Sequence, residues 1–104
     1  MTESEFNRQV DASLRAIEDA IDASGADIDY DQQGGVLTLL FASGAKLIFS
    51  RQPPLRQLWL AAPSGGFHFD WRDSRWQLAS GETLSQFLSR EASRLAGESL
   101  EFAL

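Results

Sequence analysis

Nine carboxylates crowd the first 31 residues, at Glu3, Glu5, Asp11, Glu18, Asp19, Asp22, Asp27, Asp29 and Asp31, and only Arg8 and Arg15 oppose them there. That segment carries a net charge of −7; the rest of the chain, with seven cations against six carboxylates, sums to +1 and brings the total to −6. Carboxylate oxygens suit hard cations, Fe²⁺ and Fe³⁺ as well as Ca²⁺, Mg²⁺ and Mn²⁺, and an open row supplies charge without a closed cage. Modest affinity and poor selectivity are the expectation. A merely solvated helix face has the same composition, so the decisive question is whether the row continues onto a second element. The absence of cysteine removes disulfides, thiolate metal sites and thiol nucleophiles. Any metal must sit on oxygen or on the single imidazole, His68.

The elements that would position these groups follow from periodicity. Phe6, Val10, Leu14, Ile17 and Ile21 recur at helical spacing, predicting a helix over residues 4 to 23 with Ser4 as N-cap and Gly25 as its stop. At about 100° per residue, Asp11, Glu18 and Asp22 fall within roughly 40° of one another beside that apolar stripe. Asp27-Ile28-Asp29-Tyr30-Asp31 then alternates as a strand does, its three aspartates on one face and Ile28 and Tyr30 on the other. The acidic row therefore continues from helix to strand.

After the Gly34-Gly35 turn, short apolar or aromatic runs at 36–42, 45–51, 57–62, 66–71 and 75–78 are broken by Ser43-Gly44, Pro53-Pro54, Pro63-Ser64-Gly65 and Asp73-Ser74. Connections this short favour an antiparallel meander, because parallel neighbours need crossovers of about a dozen residues. Leu37, Leu39 and Phe41, Leu47 with Phe49, and Leu58 with Leu60 share one face that needs a cover. The first helix and a second one provide it: Leu84, Phe87, Leu88, Ala92 and Leu95 keep helical spacing, Ala92 inward of Glu91, with Thr83 and Gln86 as a capping box and Gly97 as the stop. Leu100 and Phe102 are placed to fold back onto this layer. The expected architecture is one domain over residues 1–104, an α+β two-layer sandwich of helix, antiparallel sheet and helix, with both helices on one face and the other face open.

Several classes are disfavoured. No apolar run approaches the roughly 20 residues of a membrane span, and the acidic start lacks the basic and apolar regions of a signal peptide, so a cytoplasmic location is expected. The acidic balance argues against nucleic acid. The serines lack a histidine partner in any motif, no phosphate-cradling glycine loop is present, and no Glu-x-x-His pair exists for a bridged di-iron centre. An enzyme is not expected.

Ser4-Glu5-Phe6, Gly34-Gly35-Val36-Leu37-Thr38-Leu39, Ser50-Arg51-Gln52-Pro53-Pro54, Gln57-Leu58-Trp59-Leu60-Ala61, Gly65-Gly66-Phe67-His68-Phe69-Asp70 and Ser80-Gly81-Glu82-Thr83, in this order, resemble the frataxin family in its bacterial CyaY form. The specific part is Gln57-x-Trp59-Leu60 followed by a Pro/Gly turn and an aromatic-rich strand. The resemblance implies a sheet of five to seven strands and an iron-binding acidic ridge at Asp11, Glu18, Asp19, Asp22, Asp27, Asp29 and Asp31. It further implies docking on the cysteine desulfurase of iron–sulfur cluster assembly, through Glu18, Asp22 and Asp29, and a scaffold-facing surface at Gln57 and Trp59. The loop Ala23-Ser24-Gly25-Ala26 is shorter and poorer in acids than the bacterial pattern, which bears on how many ions are held.

Strand parity independently sends Trp59 to the open face, where it is a candidate hot spot; the local alternative is packing on a neighbouring strand with Arg51 over its ring. His68 shares its parity with Asp70, and a lone strand histidine is more often structural than a ligand, leaving it at most a minor surface metal site. The expected function is that of a weakly iron-binding, monomeric regulator of cluster assembly with metal-dependent oligomers. The rivals are a small acidic secretion-chaperone-like dimer holding an effector segment, and an iron chaperone or store with no desulfurase role. Because like charges on one surface repel, salt and divalent cations should raise the melting temperature. Thermal melts across an ionic-strength series check this, and a flat series would speak against a dense acidic row.

Overall fold

The computed structural model describes all 104 residues. Helix α1 spans Glu3–Ser24 and buries Phe6, Val10, Leu14, Ile17 and Ile21 as one stripe. Its N-cap is Thr2, whose hydroxyl accepts the Glu5 N–H at 3.1 Å, and not Ser4. Thr2 is the extended residue before the first turn, and starting there puts Glu3 and Glu5 on the positive end of the helix dipole. Gly25 ends the helix in the left-handed conformation at φ 70°.

Six strands follow as a meander: β1 (Ile28–Gln33), β2 (Val36–Phe41), β3 (Lys46–Gln52), β4 (Gln57–Ala62), β5 (Gly65–Arg72) and β6 (Arg75–Gln77), every neighbouring pair antiparallel. The Pro53-Pro54 break is a short 3-10 turn, Pro53–Leu55, where a missing N–H costs nothing. Helix α2, Leu84–Ala96, carries the expected capping box, with Thr83 accepting from Gln86 N–H and the Gln86 side chain accepting from Thr83 N–H. Both helices cover the sheet face of Leu37, Leu39, Phe41, Leu47, Phe49, Leu58, Leu60 and Phe69, in one core of 21 buried residues.

Arg51 lies on this helix side, contrary to the alternative that put it over Trp59. It shares the inward parity of Phe49, and its guanidinium donates to Asn7 at 3.1 Å and Asp11 at 2.7 Å, tying β3 to α1. The same group explains Gly35, where a Cβ would stand 3.3 Å from Arg51 Nε in a turn that already needs a positive φ. Glu91 was expected outside Ala92, yet both are buried; Glu91 is held by Arg94 one turn on.

The segment after α2 folds back as expected, with Leu100 and Phe102 buried. Its backbone is bound by a serine ladder: Ser93, Ser89 and Ser85 accept the N–H groups of Leu100, Phe102 and Leu104 at 2.8, 2.9 and 2.9 Å. Successive serines four apart on a helix rise about 6 Å, close to the rise of two extended residues. Ser89→Ala would strand the Phe102 N–H, a loss of about 1–3 kcal/mol. The expected fall in melting temperature is at least about 4 °C, read by calorimetry.

Candidate functional site

The acidic row is brought together at one edge of the molecule, but it straddles the edge strand instead of lying on one face. Glu18, Asp19 and Asp22 belong to the C-terminal half of α1, on the helix side. Asp29 and Asp31 alternate with the buried Ile28 and so face the open side, opposite Leu40 and Thr38 of β2; with Lys46 these residues line a shallow depression there. Asp27 sits in the bend before β1. Tyr30 joins the two sides. Its hydroxyl donates to both Asp22 carboxylate oxygens, at 3.0 and 2.9 Å, and this hydrogen bond, reinforced by the charge of Asp22 and then of Glu18 and Asp19, raises the phenol pKa above its ordinary value. Tyr30 shares the inward parity of Ile28 yet remains exposed, because β1 is the outermost strand and its side chain reaches along the rim of α1.

Among the seven row residues only Asp11 makes an ion pair, with Arg51; Glu18, Asp19, Asp22, Asp27, Asp29 and Asp31 have no cationic partner within the protein. Nor does any group of three carboxylate or imidazole side chains come together closely enough to hold a metal ion by itself. Exposed oxygen donors without a cage fit a hard cation that keeps part of its water shell, so iron is chemically compatible with this edge. The loop after α1 adds one more constraint: Ala23 and Ser24 complete the helix and Gly25 caps it, so the four-residue connection contributes no carboxylate between Asp22 and Asp27.

On the open sheet face, β4 and β5 pair Gln57 with Asp70 and Trp59 with His68. The Trp59 indole N–H donates to Gln57 Oε1 at 2.9 Å, and Gln57 Nε2 donates to Asp70 Oδ1 at 3.2 Å. The His68 ring stacks on the indole with centroids 4.1 Å apart and planes 11° from parallel. Trp59 is half-buried by this company, and its partner is His68. His68 lies on the far side of the sheet from α1, away from Glu18 and Asp22. Leu40 and Ile48, both exposed, continue the open face from Trp59 toward Asp29.

Sequence reasoning did not single out Tyr30 or Asp70 as parts of these sites. Asp70 was within reach of it: the Pro63-Ser64 turn pairs Ala62 with Gly65, and counting back along the ladder sets Asp70 opposite Gln57. The Tyr30 contact has no such signal, since it depends on how far α1 overhangs β1.

Residues 1–98 match the frataxin-like domain family. The chain is 52% identical to the iron–sulfur cluster assembly protein CyaY of Pseudomonas syringae pv. tomato, covering 99% of this chain and 96% of the relative. It is 50% identical to the CyaY protein of Pseudomonas fluorescens, covering 98% and 96%. Among solved structures it is similar to frataxin from Psychromonas ingrahamii, at 41% identity and a TM-score of 0.93 over the whole of both chains. It is also similar to a trimeric frataxin from the yeast Saccharomyces cerevisiae complexed with ferrous iron, at 26% identity and a TM-score of 0.74, covering 86% of this chain and 87% of that one. With the helix–meander–helix order, the acidic edge and the tryptophan-bearing sheet all in place, the chain belongs to the frataxin family, in its bacterial CyaY form.

Proposed function

We propose that this chain is an iron-responsive regulator of iron–sulfur cluster assembly, binding iron weakly along its acidic edge and docking that edge on a cysteine desulfurase. The role in cluster assembly accompanies family membership, since the relatives at 50–52% identity are iron–sulfur cluster assembly proteins. The observation that carries the finer reading is the set of six carboxylates that form no ion pair within the protein, drawn from α1, β1 and the bend between them. Such a row attracts either a hard cation or a basic protein surface, and occupancy by one modulates the other. Glu18, Asp22 and Asp29 are the desulfurase contacts in this reading, with Asp19, Asp27 and Asp31 as further iron ligands and other divalent cations as substitutes. Asp11, already paired with Arg51, contributes after that pair opens. The face of Gln57 and Trp59 meets the scaffold protein.

The protein works by occupancy, without covalent chemistry, as a monomer in the cytoplasm that oligomerises with metal. No helix is long and apolar enough to cross a membrane. Family membership sets aside the secretion-chaperone reading. An iron store without a desulfurase role draws support from the trimeric, ferrous-bound yeast frataxin; a pull-down with the desulfurase separates the two.

In a cluster-assembly assay with purified desulfurase and scaffold across an iron titration, Asp22→Ala with Asp29→Ala should weaken both iron and desulfurase binding roughly five- to tenfold. Titration curves identical to those of the parent would overturn the proposal. Tyr30 offers a local probe, being the only tyrosine. A phenol whose pKa is raised in the folded state contributes stability in full below the unfolded value, and that contribution is lost as pH rises through the folded one. Phenolate absorbance should therefore titrate above the ordinary tyrosine range in the free protein. It should shift downward in Asp22→Asn, which removes negative charge and the charged acceptor from beside the hydroxyl.

A further inference from the structure

The two rungs on the open face of β4 and β5 form a chain of fixed polarity. An ionised Asp70 only accepts hydrogen bonds, and an indole N–H only donates. The Gln57 amide between them has one orientation that serves both: its NH₂ toward Asp70 at 3.2 Å and its oxygen toward Trp59 Nε1 at 2.9 Å. Turned over, the amide would set oxygen against carboxylate and NH₂ against N–H. Asp70 thereby decides which way Gln57 points, and Gln57 decides where the edge of the indole is held. His68, the cross-strand partner of Trp59, fixes the ring plane by stacking at 4.1 Å.

We infer that Asp70 and His68 are positioning residues of the docking face, acting through Gln57 and directly on Trp59 to present the indole in one preset conformation. The inference rests on the reading that Trp59 meets the scaffold, and it adds a reason why that contact is productive. An aromatic side chain already immobilised in the free protein loses little rotamer freedom on association, so more of its contact energy appears as affinity. His68 is thereby assigned a part in this face.

The experiment compares Asp70→Ala, Asp70→Asn and His68→Ala in the full chain, measuring affinity for the purified scaffold and the Trp59 indole N–H resonance by heteronuclear NMR. Asp70→Ala should weaken binding about fivefold and move the indole resonance upfield as its hydrogen bond loosens, and His68→Ala should also weaken it about fivefold. Asp70→Asn keeps an acceptor oxygen but can also present an NH₂, so it should fall between the parent and Asp70→Ala in both affinity and resonance, a graded order that a generally damaged fold would not give. On a Trp59→Ala background, Asp70→Ala should have no further effect. If Trp59→Ala weakens binding while Asp70→Ala and His68→Ala leave affinity and resonance unchanged, the positioning role is overturned and the docking reading survives. An equal loss from Asp70→Ala with and without Trp59 also overturns it, because Asp70 would then act by another route. Unchanged affinity in Trp59→Ala would overturn the docking reading itself, and the positioning role with it.

Discussion

The burial of one face of the sheet under two amphipathic helices is the constraint on which everything else depends. Strand parity fixes at a stroke which residues join the 21-residue core and which are left in solvent. Leu58 and Leu60 inside require Gln57 and Trp59 outside; Ile28 inside requires Asp29 and Asp31 outside. A slip of one residue in β4 or β1 would exchange the open face for core. The open face is thus the complement of packing, made of the strand residues that no helix covers.

Electrostatics adds a division of labour within the acidic half. Arg51, its aliphatic stem against the helix layer, draws Asp11 and Asn7 onto β3 and fastens the N-terminal half of α1. The carboxylates of the C-terminal half form no such ion pair and stay available beside those of β1. The same helix is thus clamped at one end and charged at the other. Tyr30 is the sole neutral group at the charged end that spans both elements, and its protonated state matches a neighbourhood of anions.

Much of this was legible because periods of 3.6 and 2 report faces. The stripe Phe6 to Ile21, the alternation Leu37, Leu39, Phe41 and the capping box at Thr83 each specify an element and its inner side, and the structure places them so. Faces are not partners, however. Periodicity sent Arg51 to a strand without saying that it reaches α1, set Glu91 outside although Arg94 permits its burial, and placed Trp59 on the open side without naming His68. Ser4 was misread as a cap because serine and threonine offer the same hydroxyl two residues apart, and only the extended backbone of Thr2 decides between them.

The serine ladder beneath Leu100 to Leu104 makes one side of α2 act as the edge of a sheet, and it behaves as a vernier. Four helical residues advance about 6.0 Å and two extended residues about 6.6 Å, so each rung falls out of step by roughly 0.6 Å. Three rungs accumulate little more than 1 Å, which side-chain rotation absorbs; a fourth would approach 2 Å and break contact. A strand can therefore be zipped to a helix only over a short, countable length, and any such tail is measured by the helix that holds it.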